Sequence, residues 1–279
     1  MAGTLYLCAT PIGNLGDITV RVIEILKSVD IIAAEDTRNT LKLLNHFEIK
    51  TPMTSYHQHN MDTKGPVLIE KLKDGKNIAL VTDAGMPGIS DPGEDMAKRC
   101  RQEGIPVTIA PGASAGISAL VLSGMDARRY IFEGFLPTDK KERQTVLKNL
   151  EKETRTTVFY EAPHRLTDTL GVLLKAAGDR EASTVREITK KYEEVKHGTL
   201  GSLLEYYKEN PPKGEFVVIV GGMSESVLRQ EEIDGWNSIS GEEHMTQYTD
   251  EGMSEKEAMK KVAKDRGVSK REIYAYLNR

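Results

Sequence analysis

The chain has 279 residues, 39% of them hydrophobic and 29% charged, a balance typical of soluble globular proteins and long enough for two compact domains. No apolar run approaches the roughly 20 residues that a membrane-spanning helix needs, and no basic stretch precedes an apolar one at the N-terminus. These features disfavour membrane and exported proteins, so we expect a cytoplasmic protein without a membrane partner. The formal net charge of −4 argues against a general nucleic-acid binder.

The two cysteines, Cys8 and Cys100, lie far apart in the sequence. Neither belongs to a CxxC pattern or to the Cys/His spacing of a zinc site, so the sequence predicts neither a metal nor a disulfide framework. Two isolated cysteines are typical of a reducing compartment.

Short apolar runs alternate with amphipathic stretches over the first 220 residues. Most of the apolar runs are continuous, which predicts strands buried on both faces beneath covering helices. This alternation of strands and helices predicts an α/β fold. The predicted strands span residues 4–8, 30–34, 77–82, 106–109, 156–160, 184–187 and 216–220.

Apolar residues at helical spacing predict helices between these strands. The first helix ends near Ser28, and others cover the regions around residues 68–72 and 166–174. A further helix begins at Asp91, a natural N-cap residue, with Pro92 at the first helical position.

Two breaks divide the chain into parts. Residues 123–126 follow a helix of small residues and join two α/β halves, and the pair Gly221 and Gly222 ends the last strand before a polar, acidic stretch. The predicted parts are an N-terminal α/β domain (1–122), a C-terminal α/β domain (123–222), a linker (223–237) and a helical module (238–279).

The charge is unevenly distributed near the C-terminus. Residues 225–252 contain eight acidic residues and one basic residue, whereas residues 254–279 contain eight basic and four acidic residues. A basic end behind an acidic stretch is typical of a separate module that meets phosphate groups, but a solvated helix surface explains the same charges.

The basic C-terminal segment has the pattern of two helices. Ser254 and Glu257 form a capping box that starts the first helix, and Ser269 caps the second after a glycine-containing turn. The pair resembles a helix-turn-helix, in which Lys270 and Arg271 of the second helix could contact nucleic acid. A simple packing module fits the pattern as well.

Several polar or glycine-rich segments directly follow predicted strands, where α/β sheets bind their ligands. Residues 10–17 contain two glycines but match neither G-x-G-x-x-G nor a P-loop, and a tight turn explains them equally well. Glu35, Asp36 and Arg38 crowd the end of the second strand. Asp36 can cap the next helix, but Glu35 and Arg38 add more charge than a cap requires, which indicates a site.

The densest segment is residues 82–93, with three glycines and two prolines after an apolar strand. Glycines let a backbone approach a ligand closely, and Asp83 offers a fixed hydrogen-bond acceptor. The loop contains no lysine, so it suits an uncharged sugar or purine edge better than a triphosphate. Residues 110–116 are also small and follow a strand, which allows either close ligand contact or close helix packing.

Charged residues also follow two strands in the second half of the chain, within residues 160–165 and 186–191. Arg165 and Arg186 could pair with neighbouring glutamates or hold an RNA phosphate. The chain lacks a Ser-His-Asp order, an H-E-x-x-H motif and a P-loop. From the residues alone, the sequence predicts a two-lobed α/β protein that binds a ligand at its strand ends, without defining a reaction.

In this order, the motifs resemble those of the ribosomal RNA small subunit methyltransferase I family, a branch of the tetrapyrrole methylase superfamily. The resemblance covers nearly the whole chain, including the C-terminal helices, and is least distinctive at residues 223–240. The matching stretches read LYLCATPIGNLGDIT, AAEDTR, VTDAGMPGISDPG, APGASA, FEGFLP, VFYEAPHRL, VREITKKYEEVKHGTL and KGEFVVIVGG.

The resemblance implies a fold, a cofactor and a substrate. It implies two α/β domains with S-adenosyl-L-methionine in the cleft between them, and a homodimer. It also implies 2'-O-methylation of a decoding-centre cytidine, in free 16S rRNA or in the 30S subunit. The first loop, TPIGNLGD, lacks the G-x-G-P-G form of the corrin-type members, which favours RNA over a tetrapyrrole.

The resemblance further implies roles for individual residues. Glu35 or Asp36 is expected to accept the proton of the ribose hydroxyl, with Lys190 as the alternative if burial lowers its pKa. The expected RNA contacts are Arg38, Arg165, Arg186, Lys270 and Arg271. The expected cofactor contacts are Pro11, Asp83, Ala84, Gly85, Ile89, Ser114, Ala115, Tyr160, Glu161 and Ala162, with no metal.

Three other interpretations remain open at this point. A small-molecule methylase that acts on a corrin-like ring would keep the fold and the cofactor. A non-enzymatic RNA-binding or regulatory protein would use the α/β part to sense a nucleotide. A different α/β enzyme would not use this cofactor at all.

Overall fold

Two five-stranded sheets and a group of C-terminal helices make up the structure, a computed structural model that describes residues 1–277 apart from the side chain of Leu277. The α/β class and the helical appendage are as the sequence predicts. No helix within the described residues is long and apolar enough to cross a membrane.

The first sheet is parallel, with the strand order β3-β2-β4-β1-β5. Its strands are β1 (Leu5–Cys8), β2 (Ile31–Ala34), β3 (Met53–Ser55), β4 (Ile78–Val81) and β5 (Val107–Ala110). Its helices are α1 (Val20–Ser28), α2 (Thr37–His46), α3 (Met61–Lys73) and α4 (Gly93–Gln102). Because all five strands are parallel, their carboxyl ends lie along one edge, and the loops that follow them meet there.

The second sheet is mixed, with the order β6-β7-β10-β8-β9 and only the β6–β7 pair parallel. Its strands are β6 (Tyr130–Phe135), β7 (Thr156–Glu161), β8 (Glu181–Arg186), β9 (Glu194–Thr199) and β10 (Phe216–Val220). Three helices accompany it: α6 (Lys140–Glu151), α7 (Leu166–Ala177) and α8 (Leu200–Glu209). One face packs against α7 and α8 in a core that includes Phe159, Leu170 and Val218.

The opposite face of the second sheet packs against α5 (Ala115–Ser123), which directly follows the first sheet. Ala119 and Leu120 of α5 are buried against Val158, Val185 and Ile219. The first half of the chain is therefore anchored to the second by an apolar contact that adjoins the loops at the strand ends.

All seven predicted strands are present, with ends that shift by at most three residues. The prediction missed β3, β6 and β9. Strand β3 has only three residues, all half-buried, and β9 is a polar edge strand, so neither produces an apolar run. The prediction of strands buried on both faces is wrong for β5, an edge strand whose Val107 and Ile109 are exposed.

The predicted linker at residues 223–237 is mostly helical, and this prediction is corrected. Helix α9 (Glu225–Asn237) begins after Ser224, whose side chain accepts a hydrogen bond from Ser226 N–H. Its apolar residues pack on the helices that follow: Trp236 stacks on His244 with ring centroids 3.9 Å apart. The acidic residues of this stretch are thus the solvated side of a packed helix.

Three further helices complete the C-terminal module: α10 (Gly241–Asp250), α11 (Glu255–Asp265) and α12 (Lys270–Leu277). The predicted capping box of Ser254 and Glu257 is present at the start of α11. Val262, Ala263 and Ile273 form the small core of the module. The predicted module residues Asn278 and Arg279 lie outside the described residues.

Candidate active site

A cavity of about 740 Å³ lies where the carboxyl ends of the first sheet's strands face the second sheet. Its size and its mostly apolar walls, with a few polar groups, are typical of small-molecule sites. Eleven residues that the sequence assigns to the site line this main cavity: Glu35, Asp83, Ala84, Gly85, Ile89, Ser114, Ala115, Tyr160, Glu161, Ala162 and Lys190.

The loop after β4 is fixed to the first loop of the chain at Gly85. Gly85 has a φ of 84°, a left-handed conformation that favours glycine, and exchanges two backbone hydrogen bonds with Thr10. A Cβ at Gly85 would lie 3.2 Å from Ile12 Cγ2 and 3.3 Å from the carbonyl oxygen of Ala113. Glycine is therefore required both by the backbone conformation and by the close packing of three strand-end loops.

Asp91 fixes the far end of the same loop. Its Oδ1 accepts hydrogen bonds from the N–H groups of Gly88 and Gly93, both at 2.8 Å, and α4 begins at Gly93, one residue later than predicted. The other oxygen, Oδ2, is buried and has no hydrogen-bond partner within residues 1–277. Because Asp91 lines the main cavity, this oxygen can accept a hydrogen bond from a bound molecule.

Three carboxylates, of Glu35, Asp36 and Asp83, meet at the ends of β2 and β4. Asp83 Oδ1 accepts the N–H of Asp36 at 3.1 Å, and Asp83 Oδ2 accepts the amide of Asn39 at 3.4 Å. Glu35 Oε2 accepts the hydroxyl of Thr82 at 2.6 Å. Burial raises the pKa of Asp83 above its ordinary value, and the negative charge of Glu35 raises it further.

The Asp36 side chain caps the N-terminus of α2. Its Oδ1 accepts Arg38 N–H at 2.8 Å, and its Oδ2 pairs with the Arg38 guanidinium at 2.7 Å. These hydrogen bonds lower the pKa of Asp36 to about 2. Asp36 is therefore a poor proton acceptor, and neither Asp36 nor the highly exposed Arg38 lines the main cavity.

Lys190 is a fixed cation rather than a proton acceptor. Burial lowers the pKa of Lys190, but hydrogen bonds to Glu215 at 2.6 Å and Glu187 at 3.0 Å outweigh this effect, so the pKa lies above its ordinary value. The condition under which Lys190 was expected to act as a base, a pKa lowered by burial, is therefore not met. Its side chain lies across Gly13, where a Cβ would collide with it, and so links the second sheet to the first loop.

Hydrogen bonds fix the side chains of Tyr160 and Glu161 at the end of β7. The Tyr160 hydroxyl accepts the N–H of Gly116 at 3.1 Å, which ties β7 to the start of α5. Glu161 Oε2 accepts the Thr169 hydroxyl at 2.6 Å, and Glu161 Oε1 accepts the N–H of Ala162 at 2.8 Å. Both side chains thus hold one wall of the main cavity in place.

Arg165 and Arg186 are engaged within the protein and do not line the main cavity. Arg165 donates to the carbonyl oxygen of Leu136 at 2.7 Å and lies 3.5 Å from Glu161. Arg186 donates to the carbonyl oxygen of Lys213 at 2.6 Å and faces a separate cavity of about 360 Å³. The pairing with a neighbouring glutamate that the sequence allowed is thus present for Arg165, whereas the ion pair of Arg186 is with Glu194, at 3.8 Å, instead of with Glu187.

Three other predicted residues also lie away from the main cavity. Lys270 and Arg271 are exposed in the first turn of α12, in the helical module. Pro11 lines a smaller cavity of about 220 Å³ that shares Thr82 and Asp83 with the main cavity. The predicted contact of Pro11 with the cofactor stays a prediction, since Pro11 lines the smaller cavity rather than the main one.

Sequence analysis missed several residues of the main cavity. Phe135 and Glu215 fall in stretches that match the family, FEGFLP and KGEF, which were the available signal. His164 lines the cavity although its position in the sequence suggests only a helix start. Seven further lining residues fall in segments that the sequence singled out without giving them individual roles in the site: Ile12, Thr82, Met86, Ser90, Asp91, Pro163 and Ile188. Val185, Phe216 and Val217 belong to predicted strands and carried no signal of a site.

Comparison with known proteins places this arrangement in a class. The family model of Tetrapyrrole (Corrin/Porphyrin) Methylases matches residues 4–204. A solved structure of diphthine synthase superimposes with a TM-score of 0.62 at 16% sequence identity, covering 79% of this chain and 90% of that one. The fold is therefore that of the tetrapyrrole methylases.

Curated relatives resemble the chain along nearly its whole length. The ribosomal RNA small subunit methyltransferase I of Halalkalibacterium halodurans is 51% identical over 272 residues, which cover 98% of this chain and 93% of that protein. The protein of the same name from Bacillus subtilis is 48% identical with the same coverage. The chain belongs to the tetrapyrrole methylases and, within them, to the ribosomal RNA small subunit methyltransferase I family.

Members of this class take their methyl group from S-adenosylmethionine, and the chain is a methyltransferase that uses this donor. The main cavity fits the donor in chemical terms. Its walls are largely apolar, Gly85 and its neighbours expose backbone, and the unpartnered oxygen of Asp91 can accept a hydrogen bond from an amino or hydroxyl group.

Proposed function

We propose that this protein transfers the methyl group of S-adenosylmethionine to the ribose 2'-oxygen of a decoding-centre cytidine in 16S rRNA. The observation that carries the proposal is the extent of the similarity. The tetrapyrrole methylase model ends at residue 204, whereas the similarity to the curated rRNA methyltransferases covers 98% of the chain and so includes the helical module. A module shared with proteins named for an RNA substrate supports an RNA substrate here.

The donor supplies an electrophilic methyl group on a sulfonium, so the reaction needs no metal. The protein must orient the hydroxyl and remove its proton, because a ribose hydroxyl is a weak nucleophile. Glu35 and Asp83 are two carboxylates that line the main cavity at the ends of β2 and β4. We assign the donor to the part of the main cavity lined by the loop after β4 (residues 82–93), by Ser114 and Ala115, and by Tyr160 and Glu161.

We assign the RNA contacts to cations that are not already paired within the protein. Arg165 and Arg186 are held by internal hydrogen bonds, and Arg38 is paired with Asp36. Lys270 and Arg271, exposed at the start of α12, are better placed to meet phosphates, because the helix N-terminus that carries them adds a positive dipole.

A homodimer completes the proposal. Large apolar residues are exposed on the edge strand β5, on α5 and on β6, which follow one another along the chain. Exposed apolar surface of this kind is typical of a protein interface. The residues concerned are Val107, Ile109, Ile117, Val121, Leu122, Tyr130 and Phe132.

Incubation of the purified protein with S-adenosylmethionine labelled in its methyl group tests the proposed substrate. The acceptors are deproteinised small-subunit RNA, assembled 30S subunits and a corrin-type tetrapyrrole. Label in the RNA is expected. Label in the tetrapyrrole alone would assign the chain to small-molecule methylation, and donor binding without transfer to any acceptor would indicate a non-enzymatic role.

A further inference from the structure

A second, smaller cavity adjoins the main one. Its volume is about 220 Å³, and it lies between the loop after β1 and the first turns of α2. Thr82 and Asp83 line both cavities, so they form the wall between them. The paired backbones of Thr10 and Gly85 run along the same boundary. The Asp83 side chain therefore borders both cavities and can contact a group held in either one.

Asp83 is the only carboxylate among residues 1–277 that lines both cavities. Each of its oxygens accepts one hydrogen bond, from Asp36 N–H and from the Asn39 amide, and each can accept another. Glu35 lines only the main cavity, and its Oε2 already accepts the Thr82 hydroxyl. The position of Asp83 therefore suits proton transfer between groups held on its two sides.

Lys42 supplies an uncommitted positive charge to the small cavity. It is exposed, lines the cavity, and makes no ion pair or hydrogen bond within the part of the chain that the structure describes. In contrast, Lys190 in the main cavity is held by two glutamates. An unpaired lysine beside a polar cavity favours an anionic ligand, and phosphate is the anion that a nucleotide brings.

Resting on the proposed function, we infer that the small cavity receives the target ribose, that Asp83 accepts the proton of the 2'-hydroxyl, and that Lys42 holds the adjacent 3'-phosphate. In a nucleotide the 2'-hydroxyl and the 3'-phosphate are on neighbouring carbons, so one cavity can present them to Asp83 and Lys42 together. A volume of about 220 Å³ accommodates a sugar rather than a whole nucleotide, with the base and phosphates towards solvent.

The transfer balances without a further reactant. The 2'-oxygen forms a bond to the methyl carbon while its proton passes to the Asp83 carboxylate, and the bond from that carbon to sulfur breaks with its electron pair left on sulfur. The products are a 2'-O-methyl ribose, a neutral thioether and a protonated Asp83, which then releases its proton to water.

Filling the small cavity tests where the ribose binds. Leu15→Trp adds bulk to the cavity lining, and Leu41→Trp, on an exposed position of α2 that lines neither cavity, is the matched control. We expect L15W to lower methyl transfer to 30S subunits about 100-fold while S-adenosylmethionine affinity, measured by calorimetry, stays unchanged. Transfer by L41W should match that of the unmodified protein.

A binding measurement without the donor separates the two proposals. Cytidine 3'-monophosphate should perturb the NMR signals of residues around the small cavity in the unmodified protein and in L41W, but not in L15W or in Lys42→Glu. Equal perturbation and equal transfer in L15W and L41W would overturn the assignment of the small cavity. No transfer by the unmodified protein would instead refute the proposed function.

Asp83→Asn tests the proton acceptor. The amide keeps the size of the side chain but cannot take the proton, so kcat at saturating donor should fall about 10²- to 10⁴-fold, and calorimetry with S-adenosylmethionine separates this loss from a lost donor contact. The acidic limb of the pH–rate profile should disappear as well. The charged groups that face Asp83 are Glu35 at the end of β2, Asp36 at the N-cap of α2 and Arg38 on α2. A D83N protein with an unchanged kcat and an unchanged limb would exclude Asp83 as the acceptor.

Discussion

At the scale of single residues, the carboxylates at the strand ends have the same chemistry but different partners. Asp36 is paired with Arg38, whereas Asp83 has no cationic partner within the described residues and lies near the charge of Glu35. The pKa values of Asp36 and Asp83 consequently move in opposite directions from the same ordinary value. Neighbouring acids whose pKa values differ in this way are typical of active sites, in which one acid reacts with the substrate and the other has a structural role.

Glu35→Gln should move the pH dependence of methyl transfer. Below its pKa Asp83 is protonated and cannot accept a proton, so the rate falls as the pH falls, and the raised pKa of Asp83 places this fall at a higher pH than an ordinary aspartate would. Replacing Glu35 removes a negative charge that raises the pKa of Asp83, so the acidic limb should shift to lower pH. A pH–rate profile of kcat measures the shift; a limb that moves to higher pH would contradict this coupling.

Gly85→Val should abolish donor binding, because a side chain there would meet Ile12 and Ala113 at the rim of the main cavity and would strain a left-handed residue. Gly104→Val is the matched control: Gly104 has a φ of 65°, but a Cβ there would meet nothing within 4 Å. Calorimetry with S-adenosylmethionine should show binding by G104V only. Binding by G85V with unchanged affinity would remove this loop from the donor site.

The residues of the site could be predicted where they follow parallel strands, since the carboxyl ends of such strands share one edge. Glu35, Asp83 and Ser114 come together for this reason. The charge state of Lys190 could not be predicted in this way, because it depends on Glu215, a residue 25 positions further along the chain. The commitment of Arg186 to a backbone carbonyl was equally invisible in the sequence.

At the scale of elements, the sequence predicted apolar strands well and polar elements poorly. Strand β10 matches its prediction at both ends because its five residues are all buried and apolar. Helix α9 was not predicted because it has few apolar residues and many acidic ones, so it shows no clear apolar face in the sequence. Its fold depends on partners that sequence periodicity does not reveal, such as the stacking of Trp236 on His244.

Reversing the charge of Lys270 and Arg271 together should weaken RNA binding by about tenfold or more, because phosphate contacts supply much of the affinity for RNA. Lys140→Glu with Lys141→Glu is the matched control, since these residues are also adjacent and exposed in the first turn of a helix. Filter binding to 16S rRNA at several salt concentrations measures the RNA affinity of both double variants.

Donor affinity should stay unchanged in both double variants. The lost contacts should also flatten the salt dependence of K270E/R271E alone. Equal RNA affinity in the two variants would show that the helical module serves only packing. Substitution suits this question better than deletion of the tail, because deletion would expose the core formed by Val262 and Ile273.

At the scale of the whole molecule, exposed apolar side chains extend over β5, α5 and β6. Helix α5 packs one side against the second sheet through Ala119 and Leu120 and exposes Ile117 and Val121 on another. Sequence patterning could not distinguish these sides, because α5 is apolar nearly throughout its length. A partner copy that covers them would explain why an edge strand and a helix keep apolar residues at the surface.

Val121→Glu should convert the proposed dimer into a monomer. The Val121 side chain is 70% exposed, so a charge there costs little in the monomer but would be desolvated in an apolar interface. Val67→Glu, at an exposed valine of α3, is the control. Sedimentation equilibrium should give twice the 31.0 kDa chain mass for V67E and the chain mass for V121E. A single-chain mass for the unmodified protein would refute the dimer.

The central claim is that the methyl group reaches a ribose oxygen of a cytidine in small-subunit RNA. Mass-spectrometric mapping of nuclease digests tests it directly, after 30S subunits lacking the modification are incubated with the purified protein and isotopically labelled S-adenosylmethionine. We predict one labelled 2'-O-methylcytidine in the decoding centre. Label on a base, label spread over many nucleotides, or unlabelled RNA would contradict the claim.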